Sequence, residues 1–334
     1  MDALSEILSG IRLSGTAFID AELSAPWSVQ TPSAAAIARR LAPRAARIIP
    51  YHFIAEGTCS VRVLDRTLGV AAQEVICFPH GDVHQIASSA DVRPEPVTAE
   101  ALIGLTRAEE VSRVQYGGGG ITTRIVCGFF AFESELSDRI VAPLPSVLKF
   151  RVGADSAALL LPGAVRESRL RAAHDAKPGT HAVLCKLSEL LFVEAVRSYV
   201  ETLEDPAAGW FAALKDRHVS AALALMHGRP ERPWTLERLA ASIGASRSTL
   251  ADRFVRILGQ APMQYLSQWR LQLAADALAF SHRATKSIAS DAGFGSPAAF
   301  SRAFKREFGA SPARWRARTR RPRVQESGGG AGLR

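Results

Sequence analysis

The feature that most constrains the fold of this chain is a short amphipathic helix pattern that occurs twice, about fifty residues apart. The second copy, GFGSPAAFSRAFKREFG from Gly293 to Gly309, has phenylalanine at every fourth residue, which places the three rings on one helix face. Ser296 suits the N-cap and Pro297 the first helical position. The first copy, GASRSTLADRFVRILGQAP from Gly244 to Pro262, repeats this spacing, apart from one extra residue in the turn of the second copy.

The residues around the two copies predict a pair of helix-turn-helix units. A short helical segment precedes each copy, at Leu236–Ile243 and Ser287–Ala292, so each unit reads as helix, tight turn with glycine, and capped helix. A longer helix, Pro262–Ser281, connects them. Its apolar stripe is predicted to comprise Tyr265, Leu266, Trp269, Leu273, Ala277 and Leu278. Such a connector would hold two basic helices about one DNA turn, roughly 34 Å, apart.

The charge of the chain is concentrated in the same region. Residues 228–323 contain 18 Lys+Arg and 6 Asp+Glu, a net charge of +12, whereas the whole chain carries +9, so the remainder carries −3. A basic C-terminal third on a mildly acidic body indicates a polyanion-binding module joined to a part with another task.

The C-terminal part resembles the AraC/XylS family of bacterial transcription regulators over roughly Ala221 to Arg318. The run IASDAGFGSPAAFSRAFKREFGASPARWR has the family's Gly-Phe before the turn and its Gly-x-x-Pro after the helix. The resemblance implies a DNA-binding domain of two helix-turn-helix units, double-stranded DNA and RNA polymerase as partners, and a homodimer. Activation is the family tendency.

The resemblance and the helix faces together select the candidate DNA contacts. The predicted base-reading residues lie near the N-terminal ends of the two helices: Arg247, Ser248, Ala251, Asp252, Pro297, Ala298, Ser301 and Arg302. The predicted phosphate contacts are five cations: Arg253, Arg256, Arg270, Lys305 and Arg306. Arg302 is the best single candidate, because a guanidinium binds guanine O6 and N7 in bidentate fashion. For Asp252, an ion pair with Arg256 is the alternative, and a solvated surface is the alternative for each cation.

The N-terminal body has the texture of an all-β domain, with short apolar runs broken by turns between Ala35 and Phe150. IPYHFIAEG (Ile49–Gly57) and FPHGDVH (Phe78–His84) resemble the two motifs of a cupin, the small β-barrel that many AraC-type regulators use as a sensor. By this resemblance His52, Glu56 and His84 fall at three of the four metal positions, but Pro50 replaces the first histidine. A divalent metal on three ligands is one interpretation. In the other, these side chains cap barrel turns or line an effector pocket, for which His80 is a further candidate.

The four cysteines, Cys59, Cys77, Cys127 and Cys185, have no metal-type spacing. Cys77 and Cys127 fall in predicted strands, where a buried thiol usually behaves as a small apolar group. A redox sensor would need an accessible thiolate of low pKa. The nearby Arg124 and His84 keep thiol oxidation as an alternative signal.

The remaining segments complete the predicted architecture. Gly179–Leu203 is an amphipathic helix that forms a dimer interface or packs on its own barrel, with Leu184, Leu187, Leu191, Phe192, Ala195 and Tyr199 on or near one face. Asp216–His227 is a second helix, and GRPERPW after it is a plausible hinge. The prediction is an α+β multidomain protein in four segments: a cupin-like β-barrel sensor (1–150), a helical dimerisation and linker segment (151–220), an all-α double helix-turn-helix (221–318) and a disordered basic and glycine-rich tail (319–334).

The predicted function is a sequence-specific transcription regulator, an activator by family tendency, controlled by a small-molecule or redox signal in the cupin-like domain. No nucleophile, base and oxyanion arrangement is found, so no enzymatic activity and no cofactor are expected. The alternatives are a thiol-redox regulator using Cys127 and Cys77, and a metal-dependent cupin enzyme fused to a DNA-binding domain. Without a basic leader or a long apolar run, the chain is expected to be cytoplasmic and to have no membrane partner.

Overall fold

The structure is a computed structural model of the 334-residue chain. It describes residues 2–10, 18–42, 45–93, 95–96, 111–132, 138–172, 179–204 and 209–320. Most of the predicted tail, 321–334, lies outside the described residues. Two compact units are found: a sheet-rich unit, residues 11–206, and a helical unit that combines residues 1–10 with residues 207–334. These units group the chain differently from the four predicted segments, which stay predictions.

Eleven strands in the described residues of the sheet-rich unit form two sheets. They are β1 (Phe18–Ser24), β2 (Ser28–Gln30), β3 (Arg47–Glu56), β4 (Thr58–Val63), β5 (Arg66–Ala71), β6 (Glu74–Cys77), β7 (His84–Ala87), β8 (Glu95–Pro96), β9 (Val111–Gly117), β10 (Thr122–Phe132) and β11 (Leu148–Arg151). One sheet has the order β11-β6-β3-β10-β1-β9 and the other β5-β4-β7-β2-β8. The neighbours are antiparallel except for the pairs β1–β9 and β2–β8.

The core of this unit lies between the two sheets, because its buried cluster takes side chains from both. Ile54 and Ile125 come from the larger sheet, and Val61 and Ile86 from the smaller one. Alternate residues of β3 point the other way: Tyr51 and Phe53 are also buried, so β3 is covered on both faces, as its nearly unbroken apolar sequence requires.

The second face of β3 is covered by helices from the end of the unit. The N-terminal helix of the chain is α1 (Ala3–Gly10), and the sheet-rich unit contains α2 (Ala34–Leu41), α3 (Asp138–Val141), α4 (Leu161–Ala172) and α5 (Thr180–Thr202). Tyr51 Oη lies 2.9 Å from Ser188 Oγ of α5, and the Phe192 ring centroid lies 5.4 Å from that of Phe130. The apolar face of the predicted 179–203 helix is therefore used on its own sheet, although Leu187 and Tyr199 are only partly buried and Ser188 and Val196 take part instead.

The helical unit contains α1 and eight further helices among the described residues. These are α6 (Trp210–Lys215), α7 (Arg217–Gly228), α8 (Leu236–Ser242), α9 (Arg247–Leu258), α10 (Pro262–Phe280), α11 (Thr285–Asp291), α12 (Pro297–Phe308) and α13 (Pro312–Arg320). Helix α1 packs against α7, and Ala3 of α1 is buried. The predicted hinge GRPERPW is held within this unit, since Trp234 Nε1 donates to the Arg229 carbonyl at 2.9 Å.

The two copies of the sequence pattern have nearly the same geometry. Ser246 and Ser296 cap α9 and α12 by accepting from the N–H three residues later. Gly259 and Gly309 end these helices in the left-handed region, at φ +71° and +68°. Gly244, before α9, is also left-handed. Both helices have twelve residues, so the predicted duplication is confirmed in its caps, lengths and ends.

The connecting helix α10 is confirmed, but its predicted single stripe is wrong in part. Leu273 and Ala277 are only partly buried, whereas Leu271, Ala274 and Ala275 are buried. The physical reason is that α10 packs against both helix-turn-helix units. Tyr265 contacts Phe254 of the first, and the C-terminal half of α10 joins the buried cluster around Phe300 of the second. In the described part of the chain, no helix has the length and apolarity needed to span a bilayer.

Candidate functional site

The first candidate surface is the N-terminal part of α9. Leu250 and Phe254 are fully buried, which turns Arg247, Ser248 and Asp252 outward, where all three are exposed; Ala251 is partly buried. The structure therefore places three of the four predicted base-reading residues of this copy on the open face of the helix. Their role in reading bases stays a prediction.

Two of these exposed residues have different surroundings. Arg247 Nη1 pairs with Glu237 Oε1 at 2.9 Å, and both side chains are more than half exposed, so the pair is weak and open to exchange with a phosphate. Asp252 forms no ion pair with Arg256 in the described structure, although the helical spacing allowed one. Asp252 and Arg256 thus both face solvent on the same helix.

Arg253 of α9 has an internal partner. Its Nη1 lies 2.7 Å from Asp216 Oδ2, and the other carboxylate oxygen of Asp216 accepts from the N–H groups of His218 and Val219 at the start of α7. One aspartate therefore caps α7 and attaches α9 to it. Arg253, which is 41% exposed at its side chain, has less freedom for a phosphate than Arg256.

The second candidate surface is the N-terminal part of α12. Phe300 and Phe304 are fully buried, so Pro297, Ala298 and Arg302 are exposed and Ser301 is partly buried. The two other cations of this helix, predicted to bind phosphate, are also exposed: Lys305 and Arg306. Among the described residues, no hydrogen bond or ion pair engages the side chains of these three cations, so they are free to bind an anion.

Arg270 differs from the other predicted phosphate contacts. Its Nε donates to the Pro230 carbonyl at 2.7 Å and its Nη2 to the Arg232 carbonyl at 2.6 Å, and burial lowers the pKa of its guanidinium. A Cβ on Gly293 would lie 2.9 Å from Arg270 Cζ, so this glycine leaves room for the guanidinium. The structure thus uses Arg270 to hold the 228–234 segment, and its sequence-based assignment to a phosphate stays a prediction.

A third candidate lies inside the sheet-rich unit, where His52 of β3 and His84 of β7 meet. Their Nε2 atoms are 2.7 Å apart, and both residues are buried. His52 Nδ1 lies 3.1 Å from Cys127 Sγ on the neighbouring strand β10, and His84 Nδ1 lies 2.9 Å from the Asp82 carbonyl. The structure thus brings together two of the three predicted metal positions and one predicted redox cysteine.

The tautomers of this pair follow from its partners. A carbonyl only accepts, so His84 Nδ1 carries a proton, and in the neutral ring its Nε2 must then accept. His52 Nε2 therefore donates to it, and His52 Nδ1 accepts from the Cys127 thiol. Burial lowers the pKa of His84 to about 4, and burial together with His84 lowers that of His52 well below its ordinary value. Both rings are neutral near pH 7.

Glu56 and His80 do not join the pair. Arg124 pairs in register with Glu56 but Ile125 pairs with Ile54, so Ala55 is an extra residue in β3, and this bulge breaks the alternation that would have put Glu56 on the side of His52. The Glu56 side chain is 66% exposed and lies 3.8 Å from Arg124. His80 is exposed and donates from Nε2 to a backbone carbonyl.

The donor set here does not fit the three-ligand metal site. In the described residues, no group of three or more His, Cys, Asp or Glu side chains is arranged to hold a metal ion. The two Nε2 atoms that would face a metal are bonded to each other, and the carboxylate that would complete the set is absent from their surroundings.

The two predicted redox cysteines, Cys77 and Cys127, are not suited to redox sensing. Burial raises the pKa of Cys77, and burial followed by the neighbouring Cys59 raises that of Cys127 to about 12. A thiol of raised pKa has almost no thiolate at neutral pH, and the thiolate is the reactive form. The redox alternative is therefore not supported.

Sequence reasoning missed the residues that surround the histidine pair. The Phe78 ring stacks on His84 with centroids 3.5 Å apart, and Thr31 Oγ1 lies 3.1 Å from His84 Nδ1. Phe78 is the first residue of the second cupin-like motif, so a local sequence signal existed for it. Thr31 is 53 residues from His84 and carries no sequence signal.

Family models of known proteins match the N-terminal and the C-terminal part of the chain. A cupin family model matches residues 2–201, and a helix-turn-helix domain model matches residues 239–318. An AraC-like transcription regulator of Streptomyces lividans is 30% identical over 81% of this chain and 88% of that protein. The transcriptional regulator AlkR of Acinetobacter baylyi is 28% identical over 95% of this chain and 99% of that protein. Among solved structures, the DNA-binding domain of AdpA in complex with a target DNA is 34% identical over 33% of this chain and 100% of that chain, with a TM-score of 0.30.

Proposed function

The chain belongs to the AraC-type helix-turn-helix transcription regulators that carry an N-terminal cupin domain, and from this premise we propose which of its residues read DNA and how it is controlled. Helices α9 and α12 enter the major groove. Their exposed N-terminal residues contact base edges, and Arg256, Lys305 and Arg306 contact phosphates. The supporting observation is the matched geometry of the two helices, whose buried faces leave Arg302 and its neighbours unpaired.

The cupin domain has a regulatory role in this proposal. Its two histidines are neutral and hydrogen-bonded to each other, an arrangement that suits a structural or ligand-responsive core better than catalysis. The chain acts as a homodimer, because Val183, Leu187 and Leu190 form a second apolar stripe on α5 that the sheet leaves partly uncovered. The proposed setting is the cytoplasm, with RNA polymerase as the partner at the promoter and activation as the outcome.

Replacement of Arg302 tests the base-reading assignment. Arg302→Ala should weaken binding to the selected operator by about 1–3 kcal/mol and relax preference at one base pair, because a bidentate guanidinium contact to guanine is lost. The measurement is a titration of full-length protein against a site obtained by selection from genomic fragments, with random DNA in parallel at fixed salt.

Arg306→Ala on the same helix is the matched control. Arg306 is also exposed and unpaired. If it is a phosphate contact, its loss should weaken binding to specific and to random DNA by a similar factor. Equal losses on both DNAs for Arg302→Ala would reassign Arg302 to phosphate. Ser248→Ala and Ser301→Ala should alter the selected site more than the affinity, and an unchanged site profile would reject their base-facing role.

A further inference from the structure

A half-open cavity lies outside the core of the sheet-rich unit, where edge strands of the two sheets meet. Strands β5 and β11 are each at one end of their sheet, and Lys149 of β11 joins them by donating to the Gly69 carbonyl of β5 at 2.7 Å. Helix α5 closes the third side. The cavity between these elements has a volume of about 290 Å³, just below the usual range for small-molecule sites.

The lining of this cavity separates into an apolar part and a polar part. Leu148 and Phe150 of β11 and Ala195 of α5 provide a buried apolar floor. Hydroxyl groups come from the C-terminal part of α5, at Ser198, Tyr199 and Thr202.

Two cations also line the cavity, Arg66 of β5 and Lys149 of β11. Lys149 also contacts Glu74, with Nζ 3.1 Å from Oε2, so its charge is shared. The Arg66 guanidinium has no hydrogen bond or ion pair to any of the residues that the structure describes. An unpaired guanidinium beside an apolar floor is the combination that binds an acidic group attached to an apolar body.

We infer that this cavity is an effector site for a small organic monoanion, with its acidic group at Arg66 and Lys149 and its apolar body against α5. The orientation follows from the helix: Thr202 is the last residue of α5, and the partial negative charge at a helix C-terminus repels an anion there. The inference rests on the proposed regulatory function and gives it a site distinct from the histidine pair.

The position of the cavity also supplies a route for the signal. The last turn of α5 contributes Tyr199 and Thr202 to the lining, and the sheet-rich unit ends only four residues later, at Pro206. Ligand contacts would stabilise this turn, which leads directly into the connection to the helical unit. A bound anion therefore stabilises the turn from which the chain continues toward the helical unit.

The test uses the full-length chain with 2-naphthoate and decanoate as probes, in isothermal titration calorimetry. At least one probe should bind saturably, and its neutral methyl ester should bind at least about tenfold more weakly because the charge-assisted contact is lost. Arg66→Ala should weaken binding of the probe by about tenfold or more. Ser198→Leu should prevent binding, because the larger side chain fills the cavity. Arg166→Ala is the matched control, because Arg166 is an exposed arginine of the same unit outside the lining, and it should leave binding unchanged.

The site is overturned if neither probe binds at concentrations up to about 1 mM, or if Arg66→Ala and Ser198→Leu bind like the unchanged protein. Operator binding is measured on the same preparations without probe. Probe binding with the expected variant pattern but no operator binding would reject the proposed function and leave the site standing. Operator binding without probe binding would reject the effector site and leave the proposed function standing.

Discussion

At the scale of single residues, the histidine pair makes the sheet-rich unit sensitive to acid. Both rings are neutral when folded, whereas a histidine in the unfolded chain takes up a proton near pH 6.5. Because the pKa of both rings is lowered in the folded state, the pair does not reduce the free energy of unfolding above pH 6.5. Below pH 6.5 the unfolded state binds more protons, so the free energy of unfolding falls with the pH. For His84 alone the loss in the free energy of unfolding reaches about 3 kcal/mol by pH 4.

Urea unfolding of the full chain at several pH values between 7.5 and 4.5 measures this effect. The urea midpoint of the sheet-rich unit should fall through this range, and His84→Gln should flatten its dependence on pH. His282→Gln changes an exposed histidine of the helical unit and should leave the dependence as it is. A midpoint that is independent of pH in the unchanged protein would contradict the neutral, buried pair.

At the scale of secondary-structure elements, Gly128 of β10 controls how α5 attaches to the sheet. A Cβ at this position would lie 2.6 Å from the Oη atom of Tyr51, which is fully buried and bonded to Ser188 of α5. Gly128→Ala must therefore displace the tyrosine ring and break this bond. We expect a loss of about 1–3 kcal/mol in the free energy of unfolding and faster amide hydrogen exchange in α5.

Gly163 in α4 offers the matched control for this substitution. A Cβ there would meet nothing within 4 Å, so Gly163→Ala should be neutral or stabilise by a few tenths of a kcal/mol to about 1 kcal/mol. Hydrogen exchange followed by mass spectrometry compares the α5 peptides of both variants. If α5 exchanges at the same rate in both, the Tyr51–Ser188 contact does not hold the helix.

Helices α9, α12 and α10 show which features of an element the local sequence can predict. The bounds of α9 and α12 are set within the local chain, by Ser246 and Ser296 at one end and by left-handed glycines at the other, so a local pattern is sufficient. The stripe of α10 was mispredicted because its burial depends on partners on two sides. A single periodicity cannot represent such a helix.

The sheet-rich unit was harder to predict because the contacts of its histidine pair are assembled across distant strands. The spacing of His52 and Glu56 suggests a common face only if β3 alternates regularly, and the bulge at Ala55 removes that condition. Bulges depend on the register with the neighbouring strand, which the sequence of β3 alone does not specify. The contact of His52 with Cys127, 75 residues away, also depends on the register of β3 with the neighbouring strand β10.

At the scale of the whole molecule, the separation of charge determines how binding to DNA responds to salt. Residues 228–323 carry +12 within a chain of +9, so counterion release from DNA is expected to come from the helical unit. The affinity should fall steeply as salt rises, with a slope in log–log form close to −0.9 per phosphate neutralised. The remainder, with a net charge of −3, is expected to add no net attraction to DNA.

The salt slope also separates two cations that the sequence placed in one class. Lys305→Gln should reduce the slope by about 1, because an exposed and unpaired cation is lost from α12. Arg270→Gln should leave the slope unchanged and lower the melting temperature instead, since the guanidinium is used on the carbonyls of Pro230 and Arg232. Titrations of random duplex DNA between about 50 and 200 mM salt, on variants first shown by circular dichroism to be folded, give both slopes. A reduced slope for Arg270→Gln would return Arg270 to the phosphate contacts and contradict its internal role.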